Sequence, residues 1–248
     1  MDVSFQLYSA RNVSDQYEFL KTLNSLGFTQ VEGYDGVYKE AEKYRDAMDA
    51  VGIEMPSGHL ALTDLETNFD GQIDLANRFG FRHIYVPYLA PEQRPTDSAG
   101  YVDIARRMTV LNEKVRDAGF VFGWHNHDFE MVPLADGGVP MEILLNESPD
   151  ITWEADLAWV HYAGADPIEW MEKYGSRITS VHVKDIAVPG EKTDEDGWAD
   201  VGEGVMDWKL LITKARSAAP GALEILEHDK PSDTTRFASK SFQNFIEY

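Results

Sequence analysis

Apolar residues along the chain follow two alternating rhythms. Short runs rich in β-branched and aromatic residues recur, and between them lie longer stretches whose apolar positions return every three to four residues. The first rhythm predicts strands and the second amphipathic helices, and their alternation is the mark of repeated βα units around a parallel sheet. Strands are expected at 3–8, 30–34, 53–57, 83–87, 121–125, 152–156, 179–184 and 223–227. Helices are expected at 15–26, 37–50, 65–79, 101–118, 141–146, 167–174, 208–218 and 234–246. Eight such units predict an α/β fold, a single parallel eight-stranded (β/α)8 TIM barrel, as one domain over residues 1–248.

Gly27, Gly52, Gly80 and Gly119 each fall between a helical stretch and the next strand, where a left-handed C-cap is needed. The fifth and sixth helices are short. Residues 189–207 have no periodicity, and their Gly and acidic content predicts a mobile loop over the strand ends. No Pro-rich or Ser-rich linker marks a second domain.

Charge narrows the partners. Asp and Glu number 43 against 22 Lys and Arg, a formal net charge of -21. Such a surface repels phosphate backbones and anionic membranes, so neither nucleic acid nor a membrane is an expected partner. With no cysteine, disulfides, zinc–thiolate centres and thiol nucleophiles are excluded. Any metal must rest on His and carboxylates. The first eight residues carry no basic and apolar targeting pattern, and no run approaches the roughly 18 apolar residues of a membrane span. A cytoplasmic protein is expected.

In a β/α barrel the chemistry is built from the C-terminal ends of several strands, and polar residues gather there in this sequence. Glu32 ends the second strand, His59 follows the third, and the fifth ends in His125, Asn126, His127 and Asp128. The sixth carries Glu154 and Asp156, the seventh His182, Lys184 and Asp185, and the eighth Glu227, His228 and Asp229. Strand side chains alternate with period two, so Glu154 and Asp156 share a face, as do His182 and Lys184, and His125 and His127 if the extended run continues. Facing inward, they would converge. A single His or Glu at a strand end is ordinarily a hydrogen-bonded structural group; the argument rests on their number and order. Glu32 and Glu130 could line a pocket or serve locally. Among aromatics, Phe5, Tyr8, Trp124 and Trp153 read as core, whereas Trp159 and Trp198 lie near expected loops and could form a wall for a sugar ring. His161 and His228 have no spacing that places them at the centre. The "GEG" at residues 202–204 is too short and wrongly placed for a dinucleotide fingerprint, which needs a strand, a tight Gly turn and a following helix.

The segments "GWHNHDFE", "TWEADLAWVHYAGADP", "ITSVHVKD", "DVGEGVMDW" and "LEILEHD", in that order, resemble those of the sugar phosphate isomerase/epimerase superfamily, the xylose-isomerase-like barrels, over essentially the whole chain. The resemblance implies one divalent metal, Mn first and Mg, Co, Fe or Zn as alternatives, held after the last four strands. Asp156, His182 and Glu227 match three of its positions. At the fifth strand, where the family commonly reads Glu-Asn-His, this chain has His125, Asn126 and His127. The fourth ligand is then either His125 or Glu154.

The departure bears on mechanism. Family epimerases are thought to use two metal-touching glutamates as a proton shuttle, and only Glu227 stands at the matched positions. The resemblance still implies proton transfer next to a carbonyl in a sugar or keto-sugar, with His125, His127, Lys184 and Glu227 as catalytic candidates. Substrate-binding candidates are Glu32, His59, Glu130, Trp159 and Trp198. A His at the fifth strand also resembles inosose dehydratases and keto-sugar lyases or hydratases, the alternative reading; a non-catalytic sugar-binding barrel is the remoter one. An abasic-site endonuclease branch shares the fold, and the acidic charge speaks against it. A small carbohydrate is the expected partner, in a homodimer or homotetramer. The lack of a Gly-rich phosphate cradle after the last two strands favours a neutral sugar, keto-sugar or cyclitol.

Overall fold

The computed structural model describes residues 2–248; Met1, counted in the expected domain, lies outside them. Eight parallel strands close a barrel: β1 (Val3–Gln6), β2 (Gln30–Gly33), β3 (Glu54–His59), β4 (His83–Val86), β5 (Val121–His125), β6 (Thr152–Asp156), β7 (Ile178–Val183) and β10 (Leu223–Leu226). Between β7 and β10 lies a two-stranded antiparallel ribbon, β8 (Asp185–Ile186) and β9 (Trp198–Ala199). Chain order runs around the barrel, β1 closing it against both β2 and β10. Helices coat the outside, and no helix among the described residues is long and apolar enough to cross a membrane.

The strands bury residues on both faces, for different reasons. Outward-pointing Phe5, Val31, Ile84, Phe122, Trp153 and Val181 pack under the helices and are almost wholly buried. Each such side chain contributes about 1.5–3 kcal/mol on burial, so this outer layer carries the fold. The lumen is polar. Gln6 Nε2 donates to Glu32 at 2.7 Å, Ser57 donates to the same carboxylate, and the Tyr85 hydroxyl meets Ser180 Oγ at 2.7 Å. Hydrogen bonds of this kind add only about 1 kcal/mol each, but leaving one partner unpaired in the lumen costs more. The barrel floor is thus a network that must be satisfied as a whole.

Several boundaries differ from the sequence reading. The stretch expected as one helix over 37–50 is broken into Asp35–Tyr38 and Ala41–Val51, and that expected at 65–79 into Leu62–Thr67 and Phe69–Phe79. β3 runs on to His59, so this residue ends the strand instead of following it. A helix not anticipated, Leu157–Tyr162, starts directly after β6, with Asp156 Oδ1 accepting the Trp159 N–H at 2.9 Å as its cap. Tyr8, read as core, is 39% exposed beside the barrel mouth.

The segment expected to be a mobile, structureless loop is built and pinned. It contains β9 and a helical turn at Thr193–Glu195. The Asp185 carboxylate accepts backbone N–H groups of Ile186, Gly202, Gly204 and Met206 at 2.9–3.2 Å. Arg236 spans Glu195 and Asp200 from the last helix. Glu195 and Asp200 are thus buried in ion pairs, while Glu191, Asp194, Asp196, Glu203 and Asp207 of the same segment are exposed.

Candidate functional site

The register of neighbouring strands sets His125 level with Glu154, and Asp156 level with His182. Glu154 therefore lies one layer deeper than Asp156, and the polar strand ends form two overlapping groups. His59, His125, Glu154 and His182 make the lower one, and His125, Asp156, His182 and Glu227 the upper; in each, one ligand atom per residue lies within 4.8 Å of every other. His125 and His182 belong to both.

In the lower group His59 Nε2 is 2.6 Å from Glu154 Oε2 and 3.2 Å from Glu32 Oε1. His182 Nε2 is 2.8 Å from Glu32 Oε1, and its Nδ1 is 2.8 Å from Glu227 Oε2. Burial opposes charge on both rings, but the carboxylates prevail: His59 is pushed up to about 10 by Glu32 and Glu154, and His182 well above the usual imidazole range by Glu154, Glu227 and Glu32. Burial likewise works against ionised Glu32, and His59 and His182 overcome it, holding its carboxyl well down. Glu154 goes the other way, raised by burial and by Glu32.

The upper group is organised around Lys184, 1% exposed. Its Nζ donates to Asp229 Oδ1 at 2.8 Å and lies 3.0 Å from Glu227 and 3.2 Å from Asp156. The ring centroids of Trp159 and Trp198 stand 5.1 and 4.9 Å from it, within cation–π range. Burial opposes this ammonium, yet Asp156, Asp229 and Glu227 raise its pKa, so it stays charged. Burial also pushes up Asp156, against Lys184. Glu227 is held well below the carboxylate range, Lys184 and His182 overcoming its burial.

His125 and His127 are different. Burial, then the cationic His182, takes His125 well down. His127 is lowered to about 3 by burial and then Lys184, so its ring is neutral. Its backbone N–H donates to Glu130 Oε2 at 2.8 Å, and Glu130 also accepts from Trp124 Nε1 at 3.1 Å. Glu130 is fully buried and positions this loop from behind the mouth. Trp198 is 4% exposed and packs edge-on to Trp159, centroids 4.6 Å apart. His161 is exposed on its helix, while His228 is buried, its Nδ1 accepting from Lys230 N at 3.0 Å.

Two residues without an expected role complete the framework. Asn126 Oδ1 accepts from Trp153 Nε1 at 2.8 Å and from Asp156 N at 3.0 Å, and its Nδ2 donates to Asp156 O at 3.1 Å. It locks the end of β5 to the end of β6. Asp229 is the nearest carboxylate to Lys184, at 2.8 Å. The Asn between two His, and an Asp two residues after Glu227, were the available signals.

A model of the xylose isomerase-like TIM barrel family matches residues 20–244. The chain belongs to this family. No curated protein matches the sequence. Among solved structures, a sugar phosphate isomerase/epimerase from Parabacteroides distasonis ATCC 8503 superposes with a TM-score of 0.79 at 22% identity, over 98% of this chain and 92% of the other. The probable 3-DHS dehydratase AsbF of Bacillus anthracis, involved in petrobactin synthesis, gives 0.77 at 15% identity over 99% of each chain. The IolI protein with a bound zinc atom gives 0.76 at 16% identity, over 100% of this chain and 96% of the other. Xylose isomerase-like barrels thus include neighbours described as isomerases and as a dehydratase.

Proposed function

We propose that this protein catalyses divalent-metal-dependent proton transfer at a carbon next to a carbonyl in a sugar or keto-sugar, as an isomerase or epimerase. The observation that carries this reading is the upper group: His125, Asp156, His182 and Glu227, buried together at the ends of four adjacent strands.

The donor set fits a metal. Asp156 Oδ2 and His125 Nδ1 are buried with no hydrogen bond, meeting only the charge contacts of Lys184 and Glu154 at 3.2 Å each, and a cation between them would give both a ligand bond. Glu32, Glu154, Asp156, Glu227 and Asp229 bring five carboxyl groups around the one ammonium of Lys184, and burial pushes Glu154 and Asp156 toward their neutral forms; a cation would favour the ionised ones. Imidazole and carboxylate ligands suit Mn, with Mg, Co, Fe or Zn as alternatives. His125, in place of the family's acidic residue, is the fourth ligand in this reading, and Glu154 supports His59 and His125 from below. Bound there, the metal would polarise a substrate carbonyl and stabilise developing negative charge on its oxygen.

The protein's own groups divide the remaining work. His127, lying between His125 and Trp159 at the partly open edge of the site, is the group placed to take a proton from carbon; burial and Lys184 keep its ring neutral but make it a weak base, so the transfer depends on the acidity that a bound metal would lend that carbon. Lys184, held charged, donates to a substrate oxygen and serves as no base. Glu227, held ionised, accepts from a hydroxyl. His59 and Glu32 orient hydroxyls deeper in the cup, and Trp159 supplies an apolar wall.

A second reading, dehydration of a keto-sugar, is favoured by the same His125 in place of glutamate, which removes the symmetric carboxylate pair, and by a charged Lys184 able to protonate a departing hydroxyl. The test is bound-metal analysis together with solvent deuterium incorporation, followed by NMR across ketoses, keto-glycosides and inososes, in the wild type and an Asp156→Ala/Glu227→Ala double variant. Stoichiometric metal and exchange lost in the variant are expected, the product, isomer or dehydrated sugar, choosing between the readings. Metal-free protein without exchange on any sugar would leave a sugar-binding barrel.

A further inference from the structure

Beside His127, at the rim of the barrel, lies an arginine that the site described above does not use. Arg94 follows β4 and a single helical turn, Pro91–Gln93, fixed by Gln93 Oε1 accepting the Ala90 N–H at 3.0 Å. Its Nε donates to the Leu89 carbonyl at 2.9 Å, and its guanidinium carbon lies over Phe129, 3.6 Å from the ring centroid. Tyr88, 44% exposed, is 5.0 Å from the same guanidinium and 5.0 Å from the His127 ring. Phe129 stacks with His127 at 6.2 Å. The guanidinium is therefore one aromatic ring away from the general base.

Its isolation is notable for this chain, in which acidic residues outnumber basic ones about two to one. Arg107, Arg216 and Arg236 each take a carboxylate with two nitrogens. Arg94 forms no ion pair with a carboxylate among the described residues, the buried Glu130 only feeling its charge from a distance, and its two terminal nitrogens have no protein acceptor there. Nε is anchored and the guanidinium carbon rests over Phe129, which leaves the two Nη groups as a preorganised fork of donors. Such a fork matches the two oxygens of a carboxylate or phosphate. Sequence gave no Gly-rich phosphate cradle, and a fixed guanidinium provides anion recognition without one.

We propose that Arg94 receives an anionic substituent of the substrate, a carboxylate or a phosphate, carried on the part of the sugar that projects past His127 toward the rim. This rests on the sugar-directed reading above and replaces the neutral substrate expected from sequence with an acidic one. The long-range field of a chain at -21 disfavours anions, so a preference for an acidic sugar has to arise from a local contact.

The test is calorimetric titration of Mn-loaded protein with D-glucose, D-glucuronate and D-glucose 6-phosphate, in the wild type, Arg94→Gln, and Arg116→Gln. Arg116, exposed on the helix Ser98–Asp117, is the charge-matched control. One or both acidic sugars should bind about tenfold tighter than glucose to the wild type. Arg94→Gln should abolish that preference and leave glucose affinity unchanged, and Arg116→Gln should keep it. Glucuronate favoured alone identifies a carboxylate, and glucose 6-phosphate favoured alone a phosphate. Glucose binding without an acidic preference, or a preference that survives Arg94→Gln, overturns the inference alone. Binding of none of the three sugars overturns the sugar reading and this inference with it.

Discussion

His182 Nδ1 lies 2.8 Å from Glu227 Oε2, so two of the four proposed metal ligands already hold each other. A cation entering this site replaces a charge-assisted hydrogen bond and is held by the same two groups. Mn at about one hundred times its dissociation constant should then stabilise the wild type by about 2.7 kcal/mol. Asp156→Ala and His182→Ala should lose most of that gain. Thermal melts with Mn and with a chelator check it; equal gains in the variants would place the cation elsewhere.

Lys184 stands among Asp156, Glu227 and Asp229, and removing it leaves three carboxylates facing each other, two of them buried and Asp229 partly so. Lys184→Met should cost about 3–5 kcal/mol, the range for breaking a buried pair on one side. Excess Mn should recover part of the loss, since a cation in the upper group relieves the same repulsion. Urea unfolding with and without metal reads both effects.

Asp185 holds four backbone N–H groups of the β8–β9 segment. Asp185→Ala should destabilise by about 3 kcal/mol, since each lost bond to a charged acceptor exceeds the usual 1 kcal/mol but water replaces some of them. Cleavage within residues 187–206 under limited proteolysis should quicken. A methyl group on Gly204 would come within 2.2 Å of Asp185 Oδ1 and 2.3 Å of the Ile186 carbonyl, so Gly204→Ala should open the same segment. Unchanged proteolysis in both variants would show that other contacts hold it.

Burial raises the Glu130 carboxyl to about 8, against the N–H donors of His127 and Trp124. Its proton is bound more tightly in the folded chain than in the unfolded one. This contribution is therefore complete at pH below the unfolded value of 4.5 and is lost as pH climbs to about 8. The fall is at most about 1.4 kcal/mol per pH unit for one proton. Glu130→Gln removes the titration and one of the two acceptors. Relative to the wild type, the variant should thus gain stability steadily from pH 5 to 8, as melts across that range would show. A constant difference would mean the carboxyl is ionised throughout.

The barrel was legible because its strands and helices differ in period, and strand positions read from β-branched and aromatic runs lie within two residues of those observed at every edge. Helix breaks near Tyr38 and Asn68 were hidden, since their apolar spacing continues across the interruption. The helix Leu157–Tyr162 was hidden for a better reason: its cap is Asp156, a residue already claimed by the strand and by the family motif. Residues 189–207 misled because buried and solvated carboxylates look alike in one dimension. Beyond their local contacts, Asp185, Glu195 and Asp200 have partners 17, 41 and 36 residues away, a pairing no local window contains. At the site, the residues were visible but the layering was not. Only strand register sets Glu154 below Asp156.

Glu32 touches Gln6 on β1, Ser57 on β3 and His182 on β7 while itself belonging to β2. One carboxylate thus couples four staves of the barrel, the last of them through the imidazole ring of His182. Variation at Gln6 or Ser57, far from any solvent, is then heritable variation in how His182 is aimed. A lineage could drift toward another reaction through the floor of the cup while every residue around its opening stayed the same.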